Sequence, residues 1–134
     1  MGHEEAVKLA ISTKNKTGPK AGPATWLGRW KNQMNSVMDL KVSGNDVTGS
    51  YTSASSAAGG AVSGTLKGNV SGDLISFLVL WPGGSMSAWT GQLVDDDIAP
   101  RIKTLWHLVT DIADAEEPTR LWTSTFSGAD EFTR

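Results

Sequence analysis

The chain has 134 residues and a formal charge of −2, enough for one ordinary domain with a real core and too little positive charge for a nucleic-acid surface. It contains no Cys, which excludes disulfides, thiolate catalysis and zinc–sulfur sites. No apolar run approaches the roughly 20 residues that cross a bilayer, so no membrane partner is expected.

Residues 1–25 read as a flexible N-terminal tail or linker, because Lys14 to Pro23 is polar and rich in Pro and Gly. Glu4 and Glu5 precede only a short apolar stretch, Ala6 to Ile11, a poor secretory signal. That stretch has room for one strand or one helical turn. The chain is expected either not to be exported or to be a form whose leader has been removed. Residues 26–134 form the domain proper. Patterned runs fall at about 26–34, 36–43, 46–54, 61–68, 72–81, 85–94, 99–111 and 120–134. Between them lie breakers such as Ser43-Gly44-Asn45-Asp46, Gly68-Asn69, Pro82-Gly83-Gly84 and Glu116-Glu117-Pro118. Eight strands with short connections imply antiparallel neighbours, and eight such strands can close into an up-and-down barrel holding one small ligand.

Alternate strand residues point to one side of a sheet, and aromatics normally mark the buried side. In this chain polar residues share that side. Trp30, Asn32, Met34 and Ser36 have one parity, as do Ser85, Ser87 and Trp89, and Gly128, Asp130 and Phe132. An interior furnished with amides, hydroxyls and a carboxylate beside tryptophans suits a flat, polar ligand. Each feature alone has a plainer reading. Tryptophans fill cores, Asn32 and Ser36 can stabilise a turn around Asn35, and Asp130 can pair with a surface Arg.

Two runs are apolar on both faces, Leu74 to Trp81 and Ile102 to Val109. Their outward members Leu78, Leu80, Leu105 and Val109 predict an interface in a symmetric homo-oligomer, unless the N-terminal tail covers them. Other constellations offer less. Asp95-Asp96-Asp97 lacks the Gly and distal Glu of a calcium loop and reads as a solvated hairpin tip, so no metal is expected. His107 alternates with Trp106 and points outward, away from Asp130, which leaves no inward general base; the chain is not expected to be an enzyme. Asn15-Lys16-Thr17 and Asn69-Val70-Ser71 match the glycosylation pattern by chance.

Five segments in order resemble the avidin and streptavidin family: Gly28-Arg29-Trp30-Lys31-Asn32-Gln33-Met34-Asn35-Ser36, Thr48-Gly49-Ser50-Tyr51-Thr52-Ser53-Ala54, Ser85-Met86-Ser87-Ala88-Trp89-Thr90-Gly91-Gln92, Arg101-Ile102-Lys103-Thr104-Leu105-Trp106-His107-Leu108, and Trp122-Thr123-Ser124-Thr125 through Asp130-Glu131-Phe132-Thr133. The resemblance implies non-covalent, high-affinity binding of biotin, with no cofactor. It implies that Asn32, Ser36 and Tyr51 donate to the ureido oxygen, while Asp130 and Ser53 accept from the ureido N–H groups. Trp81, Trp89 and Trp106 would line the ring system and valeryl chain, with Phe77, Leu108 and Met34 completing the apolar wall. Ser87 would lie near the ligand sulfur and Ser85 near the carboxylate, with Ala57 or Ser56 on the lid loop. Trp122 would close the pocket of a neighbouring subunit, which favours a tetramer over a dimer or another dimer-based assembly. Secretion is the family's habit. The rival reading is a carbohydrate-binding β-protein, which would expose its tryptophans among several carboxylates. A lipid carrier would need a mostly apolar lumen, and this sequence does not provide one.

Overall fold

A computed structural model describes residues 1–13, 21–54, 59–95 and 99–134. Eight strands run in chain order: β1 (Gly28–Asn32), β2 (Val37–Ser43), β3 (Asp46–Ser53), β4 (Val62–Ser71), β5 (Leu74–Trp81), β6 (Ser85–Asp95), β7 (Pro100–Thr110) and β8 (Thr125–Thr133). Each pairs antiparallel with the next, and β8 returns to β1, so the sheet closes. The expected eight-stranded antiparallel barrel is the observed one.

The seams are unequal. β6 and β7 share eleven register pairs, whereas β1 and β8 share two, Lys31 with Thr133 and Asn32 with Phe132. Closure therefore depends on side chains as well as on the ladder. Inward residues fill one half of the barrel with apolar volume, chiefly Trp30, Met38, Leu66, Ile75, Ile102 and Phe132, all essentially inaccessible. A short helix, α2 (Pro23–Trp26), caps that half, with Pro in its first turn where a missing N–H costs nothing. Trp30 Nε1 donates to Trp26 O at 2.9 Å. The Arg134 guanidinium lies 4.0 Å from the Trp30 ring centroid and donates to Leu27 O at 2.7 Å. A cation over an indole contributes about 0.5–2 kcal/mol, so this end is firmly shut.

Three expectations need correction. The apolar stretch Ala6–Ile11 belongs to a ten-residue helix, α1 (His3–Ser12), rather than one turn or strand, and none of its residues is buried. The last run does not begin as strand at 120. Pro118 opens a helical turn, Glu117–Arg120, and a 3₁₀ turn follows over Leu121–Ser124 before β8 begins at Thr125. The parity from Trp30 to Ser36 is not that of one strand. β1 stops at Asn32, and Asn35 takes a left-handed conformation at φ 63°. Asn32 Oδ1 accepts from the Met34 and Ser36 N–H groups at 3.0 and 2.9 Å, which favours the turn over a longer strand. Ser36 is buried, but Met34 is two-thirds exposed.

Candidate functional site

At the end opposite Arg134 the barrel is open, and its inward side chains change from apolar to mixed. A cavity of about 210 Å³ lies there. Its polar walls are Asn32, Ser36, Tyr51, Ser53, Ser87 and Asp130, and its apolar walls are Trp81, Trp89, Trp106, Leu108 and Met34. This is smaller than the roughly 300–1,000 Å³ of drug-sized pockets, so it suits one compact ligand. A larger hollow, about 840 Å³, lies outside the barrel along β6–β8, between Leu74, Leu105 and Ala129. No aromatic side chain among the described residues lines it, and it shares only Asn32 and Asp130 with the barrel cavity.

The cavity's donors are held before any ligand arrives. Because Asn32 Oδ1 is occupied by two backbone donors, the orientation of its amide is settled, and Nδ2 faces Tyr51 Oη at 3.1 Å. Ser36 Oγ accepts from the Ala54 N–H at 3.1 Å, linking the β1–β2 turn to the segment after β3. Trp81 Nε1 donates to Ser87 Oγ at 2.8 Å, so the serine's own proton remains to be placed. Burial pushes the Tyr51 phenol well above its ordinary value, and the Asp130 charge pushes the same way; a hydrogen bond with Ser36 opposes them. Tyr51 therefore stays a neutral donor at any physiological pH.

Asp130 is fixed from two sides. Oδ2 accepts from Trp89 Nε1 at 2.9 Å and Oδ1 from Gln33 Nε2 at 2.9 Å. Thr104, which is buried, donates through Oγ1 to Asp130 O at 3.1 Å. Trp89 is itself held in a stack, 4.9 Å from Tyr51 on one side and 4.9 Å from Phe77 on the other. Aromatic pairs of this kind add about 0.5–1.5 kcal/mol beyond burial. Gly128 faces Trp106 across the β7–β8 ladder, and a Cβ there would come within 2.6 Å of Cζ2 of the indole. The absence of a side chain at 128 is what seats Trp106.

Eleven of the residues expected in the site thus converge on one cavity. Phe77 does not line it; it is buried behind Trp89 and supports that wall from outside the cavity. Ser85 is half-buried at the start of β6 and is also absent from the lining. Trp122 is 86% exposed on the 3₁₀ turn and does not reach its own chain's cavity. Ala57 and Ser56 lie outside the described residues. His107 faces out, as its alternation with Trp106 requires. Two residues that hold Asp130 were missed. Thr104 carried a readable signal, since it shares parity with Trp106. Gln33 carried none, because its reach to β8 depends on how the β1–β2 turn folds.

The family profile for avidins matches residues 20–134. The chain belongs to the avidin family. This is a family of binding proteins rather than enzymes. Two solved structures share the fold at low identity. Xenavidin superposes with a TM-score of 0.72 at 24% identity, covering 84% of this chain and 99% of that one. A rhizavidin–biotin complex gives a TM-score of 0.68 at 24% identity, covering 84% and 95%. No curated protein sequence matches. Among the described residues no helix is long and apolar enough to cross a membrane, and no cluster of side chains could hold a metal ion.

Proposed function

We propose that this protein binds biotin without covalent chemistry and catalyses no reaction. One observation carries the reading: a neutral phenol, an oriented amide and hydroxyls converge opposite a single carboxylate, inside a wall of tryptophans, in a member of the avidin family. Rhizavidin, a protein with this fold, has been crystallised with biotin. A cyclic urea matches such a set. Its carbonyl oxygen accepts hydrogen bonds from Asn32 Nδ2, Ser36 and Tyr51, three donors of the kind that stabilise a developing oxyanion. Its two N–H groups meet Asp130 and Ser53. The bond to Asp130 is charge-assisted, worth about 1.5–3 kcal/mol against about 1 for a neutral one. Polarising the carbonyl strengthens both N–H donors, so the set acts cooperatively.

Trp81, Trp89 and Trp106 cover the apolar remainder, at about 0.8 kcal/mol for each buried CH₂. Ser87 faces the sulfur, and Met34 and Leu108 lie along the valeryl chain. Phe77 acts from behind Trp89, and Ser85 meets the carboxylate end. Because the donors are already placed, little ordering is left to offset affinity.

The outer faces favour self-association. Leu80, Met86 and Val109 form one row across β5, β6 and β7 and are 51%, 40% and 47% exposed, with Leu105 more exposed still. A homo-oligomer through this face, as a tetramer or a dimer-based assembly, would cover them and bring the exposed Trp122 to a neighbour's cavity mouth. Extracellular placement follows the family's habit. A thermal melt tests the binding. A ligand at 1,000 times its dissociation constant stabilises the native state by about 4 kcal/mol, so biotin raises the midpoint by at least about 10 °C. An unchanged midpoint with excess biotin rejects the proposal.

A further inference from the structure

The narrowest seam of the barrel is also the one that carries Asp130. The β1–β8 ladder ends at the pair Asn32–Phe132, and the next pair would set Gln33 against Glu131. The main chain cannot make it, since it has already entered the turn that Asn32 Oδ1 stabilises. The Gln33 side chain takes its place. Its Oε1 accepts from the Glu131 N–H at 3.0 Å, and its Nε2 donates to Ala129 O at 3.3 Å and to Asp130 Oδ1 at 2.9 Å. A primary amide carries the same planar donor–acceptor pair as a peptide group, so it continues the ladder for one more step. It then adds a bond to the carboxylate that the ladder alone would not give.

We infer that Gln33, an exposed residue outside the cavity lining, is the positioning residue that holds Asp130 ready for the ligand. The inference rests on the biotin-binding reading and deepens it. Trp89 secures one carboxylate oxygen and Gln33 the other. Each oxygen keeps acceptor capacity for a ligand N–H, because an ionised carboxylate has about four acceptor sites. With both oxygens held, the carboxylate cannot turn away from the cavity when the ligand is absent. Without Gln33 the exposed groups it serves return to water at little cost, since solvent replaces exposed hydrogen bonds readily. The carboxylate then loses one restraint, and binding must supply the order that the free protein lacked. The effect therefore appears in ligand release and hardly at all in the ligand-free melt.

The test is a double-mutant cycle read by biotin dissociation, with the ligand-free melting midpoint as control. Gln33→Leu is expected to release biotin about tenfold faster, the loss of one bond to a charged acceptor, while its ligand-free midpoint stays within a few degrees of wild type. Gln33→Glu keeps an acceptor for the Glu131 N–H but loses both donors and sets a second carboxylate against Asp130. It is expected to release biotin at least as fast as Gln33→Leu. In an Asp130→Ala background Gln33→Leu is expected to add nothing. Release unchanged by Gln33→Leu, or an effect that persists in full when Asp130 is Ala, overturns the inference alone. A wild-type protein that binds no biotin overturns both this inference and the function on which it rests.

Discussion

Gly128 offers the sharpest link between backbone and pocket. It lies in regular strand opposite Trp106, so a substitution there acts through space rather than through backbone strain. A Cβ at 128 would lie 2.6 Å from Cζ2, 2.8 Å from Cε2 and 3.1 Å from Nε1 of the indole. Carbon atoms in good contact stand about 3.5–4.0 Å apart, so Gly128→Ala must displace the ring by about 1 Å. The barrel wall stands on one side of the ring and the cavity on the other, so the cavity is where the ring goes. Overpacking of this kind costs about 1–3 kcal/mol, or roughly 4–12 °C in the melting midpoint of a domain this size. It also displaces one wall of the binding site, so biotin release should accelerate by about tenfold or more, as small misplacements in a preorganised site do. Circular dichroism melts and a biotin dissociation assay measure the two effects. Trp106→Phe, which removes the ring atoms nearest position 128, should recover part of the lost midpoint in the Gly128→Ala background. A Gly128→Ala protein that melts and releases biotin like wild type would mean that the bare backbone at 128 does not seat Trp106.

Tyr51 is the only tyrosine, which makes its titration readable by ultraviolet absorbance without assignment. Burial and the Asp130 charge favour the neutral phenol, so ionisation should begin only well above pH 10, and the stability that depends on the neutral form should be lost as pH rises past that ordinary value. A midpoint near 10 in the folded protein would contradict the packing described. Trp122→Lys should speed biotin release in the assembled protein if this exposed indole covers a neighbour's cavity, and should leave the ligand-free melt unchanged. Equal release rates for the two proteins would show that the residue acts on no neighbouring site.

Much of this barrel is visible in its sequence because two-residue periodicity survives in long strands. On β6, β7 and β8 the alternation of Ser87 with Trp89, of Trp106 with Leu108, and of Asp130 with Phe132 faces inward as read. Of the four residues expected to face outward, Leu80, Leu105 and Val109 are exposed and Leu78 is half-buried. Periodicity fails where a turn intervenes. Met34 and Ser36 share the parity of Trp30, yet the turn at Asn35 leaves one at the mouth and buries the other. Gln33 was invisible because its three partners on β8 lie almost a hundred residues away, and only the closure of the barrel brings them together. The run 120–134 reads as one strand because Glu116-Glu117-Pro118 reads only as a breaker before it, whereas Pro118 also suits the first turn of a helix, and the helical turn it opens leads into the 3₁₀ turn that delays β8 to Thr125. Asp130 itself was readable, but what holds it was not. A carboxylate among tryptophans announces a site, while its restraints come from two other strands, β6 and β7, and from the β1–β2 turn.

Calorimetric titration of biotin into the wild-type and Asp130→Ala proteins, side by side, bears most directly on the whole account. Wild type should bind one biotin per chain, and Asp130→Ala should bind the same number more weakly by several kcal/mol, at least the worth of one charge-assisted bond, with its ligand-free melt intact. No heat of binding in the wild type, or equal affinity in both proteins, would contradict it.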